Sequence, residues 1–339
     1  MYKLLHNFQL KKFNTFAIPA TAKFYLSIES LSDLTDALIN NPQLINEQRL
    51  VLGSGSNLLF LKDYDGIIIH PQIQGIQRLK ENDFTVEVEV GAGVKWDNFV
   101  EWSVVNELYG IENLSLIPGN TGAVPVQNIG AYGVEASSVV EWVTGIDLIT
   151  MNQRIIHRFD CEFGYRISLF KEKLKENFIV TSVNFRLSKK PGYNLQYEGL
   201  ESKVREFGEV NLVNVRQAII KIRTSKLPDP SVYGNAGSFF KNPVVSDDAA
   251  DTLKRLYPDI PVYSLGSGFS KLAAGWMIEK AGWKGHSFGN AAIHDKQALV
   301  IINKGNATGK EIFSLSEMVA ENILQKFNIR LEREVQVVG

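Results

Sequence analysis

The chain has 339 residues, with 36 Lys and Arg against 37 Asp and Glu, 45% apolar residues, 22% charged residues and a single cysteine, Cys161. At roughly 100–200 residues per domain, this length predicts two or three domains. The charge balance excludes the basic footprint of a nucleic-acid binder. The apolar content excludes a disordered chain, and the lone cysteine excludes a disulfide framework or a cysteine-built metal site. Residues Met1 to Asn7 form no secretory signal, and no run of about 18 apolar residues occurs, so a cytoplasmic chain without a membrane span is expected.

In chain order, Ser32 is placed to cap a helix that buries Leu34, Leu38 and Ile39. Residues 50–52 and 66–69 read as short buried strands, the first running into the glycine cluster Gly53-Ser54-Gly55-Ser56-Asn57. Residues 84–90 alternate apolar and polar side chains, the period of a half-buried strand. Trp96, Phe99, Val100 and Val104 follow Gly93 at helical spacing. The charge run 171–175 reads as a solvated helix face, and 177–187 as a strand rich in β-branched and aromatic residues. Pro228 and Pro230 suggest a boundary within 223–230. Ser246 is placed to cap a helix that buries Leu253 and Leu256 and stops at Pro258. Thr308 and Glu311 form a capping box ahead of Ile312, Leu315, Val319 and Ile323. Strands and helices mixed without regular alternation predict an α+β fold.

Several segments carry chemistry. A glycine turn after a strand, as at 53–57, lets backbone N–H groups approach a diphosphate, and Ser54, Ser56 and Asn57 add donors. A plain surface turn has the same composition, and the cluster is neither a Rossmann fingerprint nor a P-loop. The loop 118–133 carries Gly119, Gly122, Gly130 and Gly133 among Pro118, Asn120, Gln127 and Asn128. A loop this long is usually functional, although it can be a rigid connector. Arg166 beside Tyr165 offers a planar fork for a carboxylate or phosphate, or else a surface ion pair. Ser238 is either an oriented proton donor or a turn residue bonded to backbone. Glu332 and Glu334 share a face if their segment is a strand. The five histidines show no metal-ligand spacing, so no metal is expected.

Seven segments in order carry a family resemblance: Asn14-Thr-Phe16, Gly53–Asn57, Pro118–Gly133, Phe163-Gly-Tyr-Arg166, Lys226-Leu-Pro-Asp-Pro230, Gly234–Pro243 and Leu331–Val335. The set resembles the UDP-N-acetylenolpyruvoylglucosamine reductases, also called UDP-N-acetylmuramate dehydrogenases, over nearly the whole chain. The stretch around Tyr197 resembles their type I form. The resemblance implies a two-subdomain FAD-binding fold, vanillyl-alcohol-oxidase-like, with a C-terminal α+β substrate-binding domain. The subdomains would span 1–70 and 71–222 and the substrate domain 223–329, with the tail 330–339 returning to the first.

The implied activity is reduction of UDP-N-acetylglucosamine enolpyruvate to UDP-N-acetylmuramate in peptidoglycan precursor synthesis. FAD would be the cofactor and NADPH the electron donor. A cytoplasmic monomer is expected, because nothing in the sequence demands more, with no nucleic-acid or membrane partner. By position, Gly53, Ser54, Gly55, Ser56, Asn57, Pro118, Gly119, Gly122, Gln127, Asn128 and Gly130 would bind the cofactor. Arg166, Ser238 and Glu334 would be catalytic, and Tyr197, Lys226, Asn242 and Gln297 would bind substrate. To donate a hydrogen bond, Glu334 would have to be protonated, which calls for burial. Arg333 stands where the family often has proline, which leaves Glu332 as a competitor to Glu334. A different FAD oxidoreductase of this fold, or a non-catalytic flavin or nucleotide-sugar binder, is the alternative. Retention of Arg166, Ser238 and Glu334 together speaks against the non-catalytic one.

Overall fold

The computed structural model describes residues 1–339. It contains two compact units. The first comprises Met1–Phe8, Ala22–Ser54 and Asp65–Ser225, and the second Gln9–Thr21, Gly55–Tyr64 and Lys226–Gly339. The architecture is α+β, and no helix is long and apolar enough to cross a membrane.

The first unit is built on two sheets. A five-stranded sheet runs in the order Gln153–His157, Val140–Asp147, Phe178–Ser188, Thr85–Gly91, Ile76–Glu81, with every neighbouring pair antiparallel. The alternation expected over 84–90 holds from Val86 onward, with Val86, Val88 and Val90 fully buried, whereas Phe84 precedes the strand Thr85–Gly91 and is exposed. They share a core with Trp96, Phe99 and Val100 of the helix Trp96–Val105 and with Val183 and Phe185. Each such side chain contributes roughly 1.5–3 kcal/mol by leaving water. The Trp96 indole N–H is satisfied by the Leu114 carbonyl at 2.9 Å. A second sheet has the order Lys3–Gln9, Thr21–Ile28, Tyr64–Pro71, Arg49–Val51, the last pair parallel.

The second unit holds a four-stranded sheet, Gly234–Ser238, Val300–Asn303, Ala291–Ile293, Ser287–Phe288. It also has a three-stranded sheet, Val244–Ser246, Phe269–Leu272, Val262–Gly266, and a parallel pair joining Leu58–Phe60 to Gln336–Val338. Its longest helix, Gly309–Phe327, opens on the capping box: Thr308 Oγ1 accepts from Glu311 N, and the Glu311 carboxylate accepts from Thr308 N. Ile312, Leu315, Val319 and Ile323 are all fully buried along one face.

Three expectations need correction. The helix Leu31–Asn40 is capped by Ser30, whose extended backbone lets its hydroxyl reach Asp33 N at 3.2 Å. Its buried face is Leu34 and Ala37, which leaves Ile39 exposed. Ser246 does cap Asp247–Leu256 through Ala249 N, but only Ala250 and Leu253 face inward and Leu256 is exposed. The run 171–175 is a series of turns, not a helix. There Lys171 Nζ donates to the Arg166 carbonyl at 3.0 Å and to Gln127 Oε1 at 3.1 Å, so it is a tether between loops.

Candidate active site

In the first unit the strand Arg49–Val51 delivers Gly53 and Ser54 towards the long loop. A Cβ on Gly53 would lie 3.8 Å from Cβ of Ala123 and 4.0 Å from that of Asn120, filling the gap between the two segments. Thr121 N donates to the Val94 carbonyl at 2.8 Å, Gly122 N to that of Ala92 at 2.9 Å, and Trp96 N to that of Gly119 at 3.0 Å. A Cβ on Gly122 would meet Cβ of Ala92 at 2.7 Å, so only glycine permits this approach. Pro118 and Gly119 lie at the entry of the loop, where Pro118 is exposed and Gly119 has φ 136°. Asn128 is fully buried. Its amide donates to the carbonyl of Gly164 at 2.9 Å and to Glu135 Oε2 at 3.1 Å, and its oxygen accepts from Ser137 N at 3.0 Å. The Asn128 side chain therefore closes the loop on itself.

Arg166 sits in a tight turn whose ends, Gly164 and Ile167, exchange both backbone hydrogen bonds. It adopts φ 58°, a conformation that costs an L-residue on the order of 1–2 kcal/mol. Its guanidinium donates to the carbonyls of Gly130 at 2.7 Å and Asn128 at 3.3 Å, and its centre lies 5.2 Å from the Tyr165 ring. A Cβ on Gly130 would come 3.1 Å from Arg166 Nη1, so this glycine makes room for the guanidinium. Backbone strain held in place by several contacts is typical of functional positions.

Tyr197 joins the same group. It is 43% exposed and packs edge-on against Tyr132 at 4.9 Å between centroids. Asn113 Nδ2 stitches the segments together by donating to the carbonyls of Tyr132 and Asn194, both at 2.8 Å. Tyr132 is hydrogen-bonded to Arg223; burial pushes the phenol above its ordinary range although this cation opposes the shift, and burial lowers the guanidinium. Arg216 grips Asp97 with both terminal nitrogens at 2.7 and 2.9 Å, and Asp97 also accepts Leu116 N at 2.6 Å. Burial raises the Asp97 carboxyl, but hydrogen bonds from Arg216 and Leu116 outweigh it and hold the group below its usual range. Motif reading misses Asn113, Asp97, Arg216 and Arg223. The one available signal is that the two arginines stand seven residues apart, on one face of the helix Leu212–Lys226.

In the second unit Gly55 has φ 67°, and a Cβ there would lie 2.0 Å from the Phe13 carbonyl oxygen. Ser56 and Asn57 follow, both half-buried. Asn57 Nδ2 donates to the carbonyl of Glu334 at 3.1 Å, and Gln336 N donates to the carbonyl of Asn57 at 3.0 Å. The strand Gly234–Ser238 loses register against Val300–Asn303 between Asn235 and Ser238, where Gly237 takes φ 70° and donates its N–H to Asn235 Oδ1 at 3.0 Å. This bulge re-aims Ser238.

The chain then pairs with the C-terminal segment. Glu334 N donates to the Phe239 carbonyl at 2.8 Å, and Lys241 N to that of Glu332 at 2.9 Å, around a bridge between Phe240 and Arg333. The backbone of Glu334 thus stands opposite the residue next to Ser238. Glu332 is 70% exposed at its side chain and pairs with Lys241 at 3.1 Å, whereas Glu334 is half-buried. Asn242 Oδ1 accepts Ala274 N at 3.0 Å at the head of the helix Ala274–Lys280, and a Cβ on Gly275 would sit 3.3 Å from Gln297 Oε1. Both residues therefore meet the same helix end. Lys226 is exposed at the last residue of its helix. Cys161 is buried, and burial pushes its thiol up to about 12, which removes it from thiolate chemistry.

The FAD binding domain family model matches residues 36–158, and that of the UDP-N-acetylenolpyruvoylglucosamine reductase C-terminal domain matches 229–338. The chain is an FAD-dependent oxidoreductase. It is 42% identical over 335 residues to UDP-N-acetylenolpyruvoylglucosamine reductase of Flavobacterium johnsoniae, covering 98% of each chain. It is 43% identical over 331 residues to that of Bacteroides fragilis strain YCH46, covering 98% of this chain and 99% of the relative. The crystal structure of UDP-N-acetylenolpyruvylglucosamine reductase from Thermus caldophilus shares the fold, with TM-score 0.70 at 22% identity, over 100% of this chain and 99% of that one. The chain belongs to the UDP-N-acetylenolpyruvoylglucosamine reductase family.

Proposed function

We propose that this chain reduces UDP-N-acetylglucosamine enolpyruvate to UDP-N-acetylmuramate with electrons from NADPH. The observation that carries this reading is the bridge between Phe240 and Arg333, which sets the segment of Glu334 against the segment starting at Ser238. The residues present suit a flavin diphosphate: Gly53 packs closely on the long loop, Gly122 packs that loop on Ala92, and a glycine turn after a strand offers backbone N–H groups to a phosphate. Gly53, Ser54, Gly55, Ser56, Pro118, Gly119, Gly122, Gln127, Asn128 and Gly130, together with the main chain of Asn57, are the residues we assign to holding it. FAD, when bound, supplies the hydride.

The chain's own residues then manage charge and protons. Charge develops on the substrate carboxylate and needs a cation and a hydrogen-bond donor aimed at it. Arg166 is the cation, pre-oriented by two loop carbonyls, and the Glu334 carboxyl is the donor. What supports Glu334 over Glu332 is that the Glu332 side chain lies mostly in solvent and is already paired with Lys241. Ser238 gives a proton to the carbon next to the carboxylate. Lys226 serves the diphosphate, and Tyr197, Asn242 and Gln297 contact the rest of the substrate. We read 1–70 and 71–222 as cofactor subdomains and 223–329 as the substrate domain. The pairing of Gln336–Val338 with Leu58–Phe60 supports a return of the tail to the first of them.

The test is spectroscopic. The purified protein should carry or take up FAD, NADPH should bleach it, and the enolpyruvyl sugar nucleotide should restore the colour. Ser238→Ala should bleach normally but reoxidise slower by about 10²–10⁴-fold, the usual weight of acid catalysis. Normal reoxidation would remove Ser238 from the chemistry, and a protein unable to bind FAD would end the proposal.

A further inference from the structure

The family resemblance assigns Asn57 to the cofactor, yet the partner of its side chain is the segment that carries Glu334, just ahead of the strand Gln336–Val338. Asn57 Nδ2 donates to the Glu334 carbonyl at 3.1 Å, and the Asn57 carbonyl accepts Gln336 N at 3.0 Å. Because the partner is a carbonyl, the amide nitrogen must be the atom facing it. The Glu334 N–H is taken by the Phe239 carbonyl at 2.8 Å. Both main-chain polar groups of Glu334 are therefore tied, one to the segment of Ser238 and one to Asn57. The turn that presents Asn57 is itself rigid. Gly55 is left-handed against the Phe13 carbonyl, Thr15 N donates to the Gly55 carbonyl at 3.2 Å, and Leu58–Phe60 continues directly into the parallel pair with Gln336–Val338.

We propose that Asn57 is a positioning residue for Glu334, whose amide couples the glycine turn of the cofactor to the placement of the carboxyl group. This rests on the reading of Glu334 as the group that donates to the developing charge. The coupling has a direct chemical consequence: replacing the amide by a carboxylate of the same shape puts an acceptor against an acceptor and frees the Glu334 backbone.

The experiment compares wild type, Asn57→Asp, Asn57→Ala, Asn57→Ser and Glu334→Gln. FAD affinity is measured by flavin fluorescence, bleaching by NADPH in stopped flow, and reoxidation by the enolpyruvyl sugar nucleotide on the fully loaded protein. For Asn57→Asp and Asn57→Ala we expect FAD affinity within about threefold of wild type, unchanged bleaching, and reoxidation slower by about tenfold or more, the worth of one hydrogen bond at a reacting centre. Asn57→Ser keeps a shorter donor and should recover part of that rate, which also covers the case in which the aspartate variant does not fold. FAD affinity lost by about tenfold with wild-type reoxidation at saturation would make the Asn57 side chain a flavin ligand and overturn the coupling; three unchanged measurements would overturn it as well. Glu334→Gln separates the two ideas: normal reoxidation in that variant removes the underlying reading. A slow Glu334→Gln beside an unaffected Asn57→Asp removes only the coupling.

Discussion

Arg166→Lys tests the proposed role of Arg166 towards the substrate carboxylate most sharply, because it keeps the charge and removes only the geometry. The guanidinium is held by Gly130 at 2.7 Å and Asn128 at 3.3 Å, and Gly130 exists without a Cβ in part to admit it. A lysine ammonium has a single point of charge and cannot hold these carbonyls while presenting a planar fork to a carboxylate. Losing one charge-assisted hydrogen bond costs roughly 1.5–3 kcal/mol, and each 1.36 kcal/mol is about tenfold in rate. The predicted loss in kcat/KM is therefore about ten- to hundredfold, with kcat falling because the interaction strengthens as charge develops. Bleaching by NADPH does not involve the substrate carboxylate and should be preserved. Steady-state assays with single-turnover traces of both half-reactions separate these effects. Turnover within about twofold of wild type would show that Arg166 only closes its loop, and that the strain at φ 58° serves architecture instead of chemistry.

Other perturbations follow from the same contacts. Asp97→Ala leaves the buried Arg216 unpaired and frees Leu116 at the entry of the loop 118–133, so it should cost about 2–4 kcal/mol in urea unfolding and weaken FAD binding; an unchanged midpoint would contradict this. Arg333 packs over Phe313 at 4.5 Å and pairs with Glu317, but the ladder bonds beside it are carried by Glu334 N and Lys241 N. Arg333→Pro should therefore be about as stable as Arg333→Ala, each losing roughly 1 kcal/mol, and a proline variant that unfolds would refute that accounting. His70 lies buried with its Nδ1 2.6 Å from the Tyr25 hydroxyl, and burial lowers it from 6.5 to about 4. The folded state then binds fewer protons between those values, so stability is complete above the unfolded value and is lost as pH falls towards 4. Urea melts should show about 2 kcal/mol lost from pH 7 to pH 5, and His70→Phe should flatten that slope.

Periodicity was enough to place the strongly patterned elements, and it failed where the deciding quantity is three-dimensional. The capping box at Thr308 and the alternation of 84–90 each repeat one local rule several times, so tertiary packing only had to agree with them. Ser32 is the cap that the sequence suggests, and only the extended backbone of Ser30 shows that Ser30 is the residue that reaches an orphan N–H. Lys171 looks like any solvated lysine until the turn of Arg166 is folded beside it. Glu332 and Glu334 share a face under a period of two. The preference for Glu334 proposed above rests on Lys241 standing across the bridge from Glu332, a contact 91 residues away in sequence.

The segment Asn14-Thr-Phe16 shows what the landmarks have in common. In sequence it is a short marker without chemistry. In the structure Asn14 ties its own loop through the carbonyls of Leu10 at 2.8 Å and Ile18 at 3.0 Å. Thr15 donates its N–H to the Gly55 carbonyl at 3.2 Å and accepts Asn235 N at 3.0 Å, and the Phe16 carbonyl accepts Asn303 Nδ2 at 2.8 Å. A Cβ on Gly234 would come 2.4 Å from that same Phe16 oxygen, just as one on Gly55 would strike that of Phe13. Glycine is thus required at 55 and at 234 by main chain lying against main chain, before any ligand is considered. Three motifs scattered along the sequence form one backbone junction. The glycine turn, the strand of Ser238 and, through Asn57, the segment of Glu334 are all registered to it by hydrogen bonds, so a substitution that shifts the Thr15 backbone should displace Ser238 and Asn57 together.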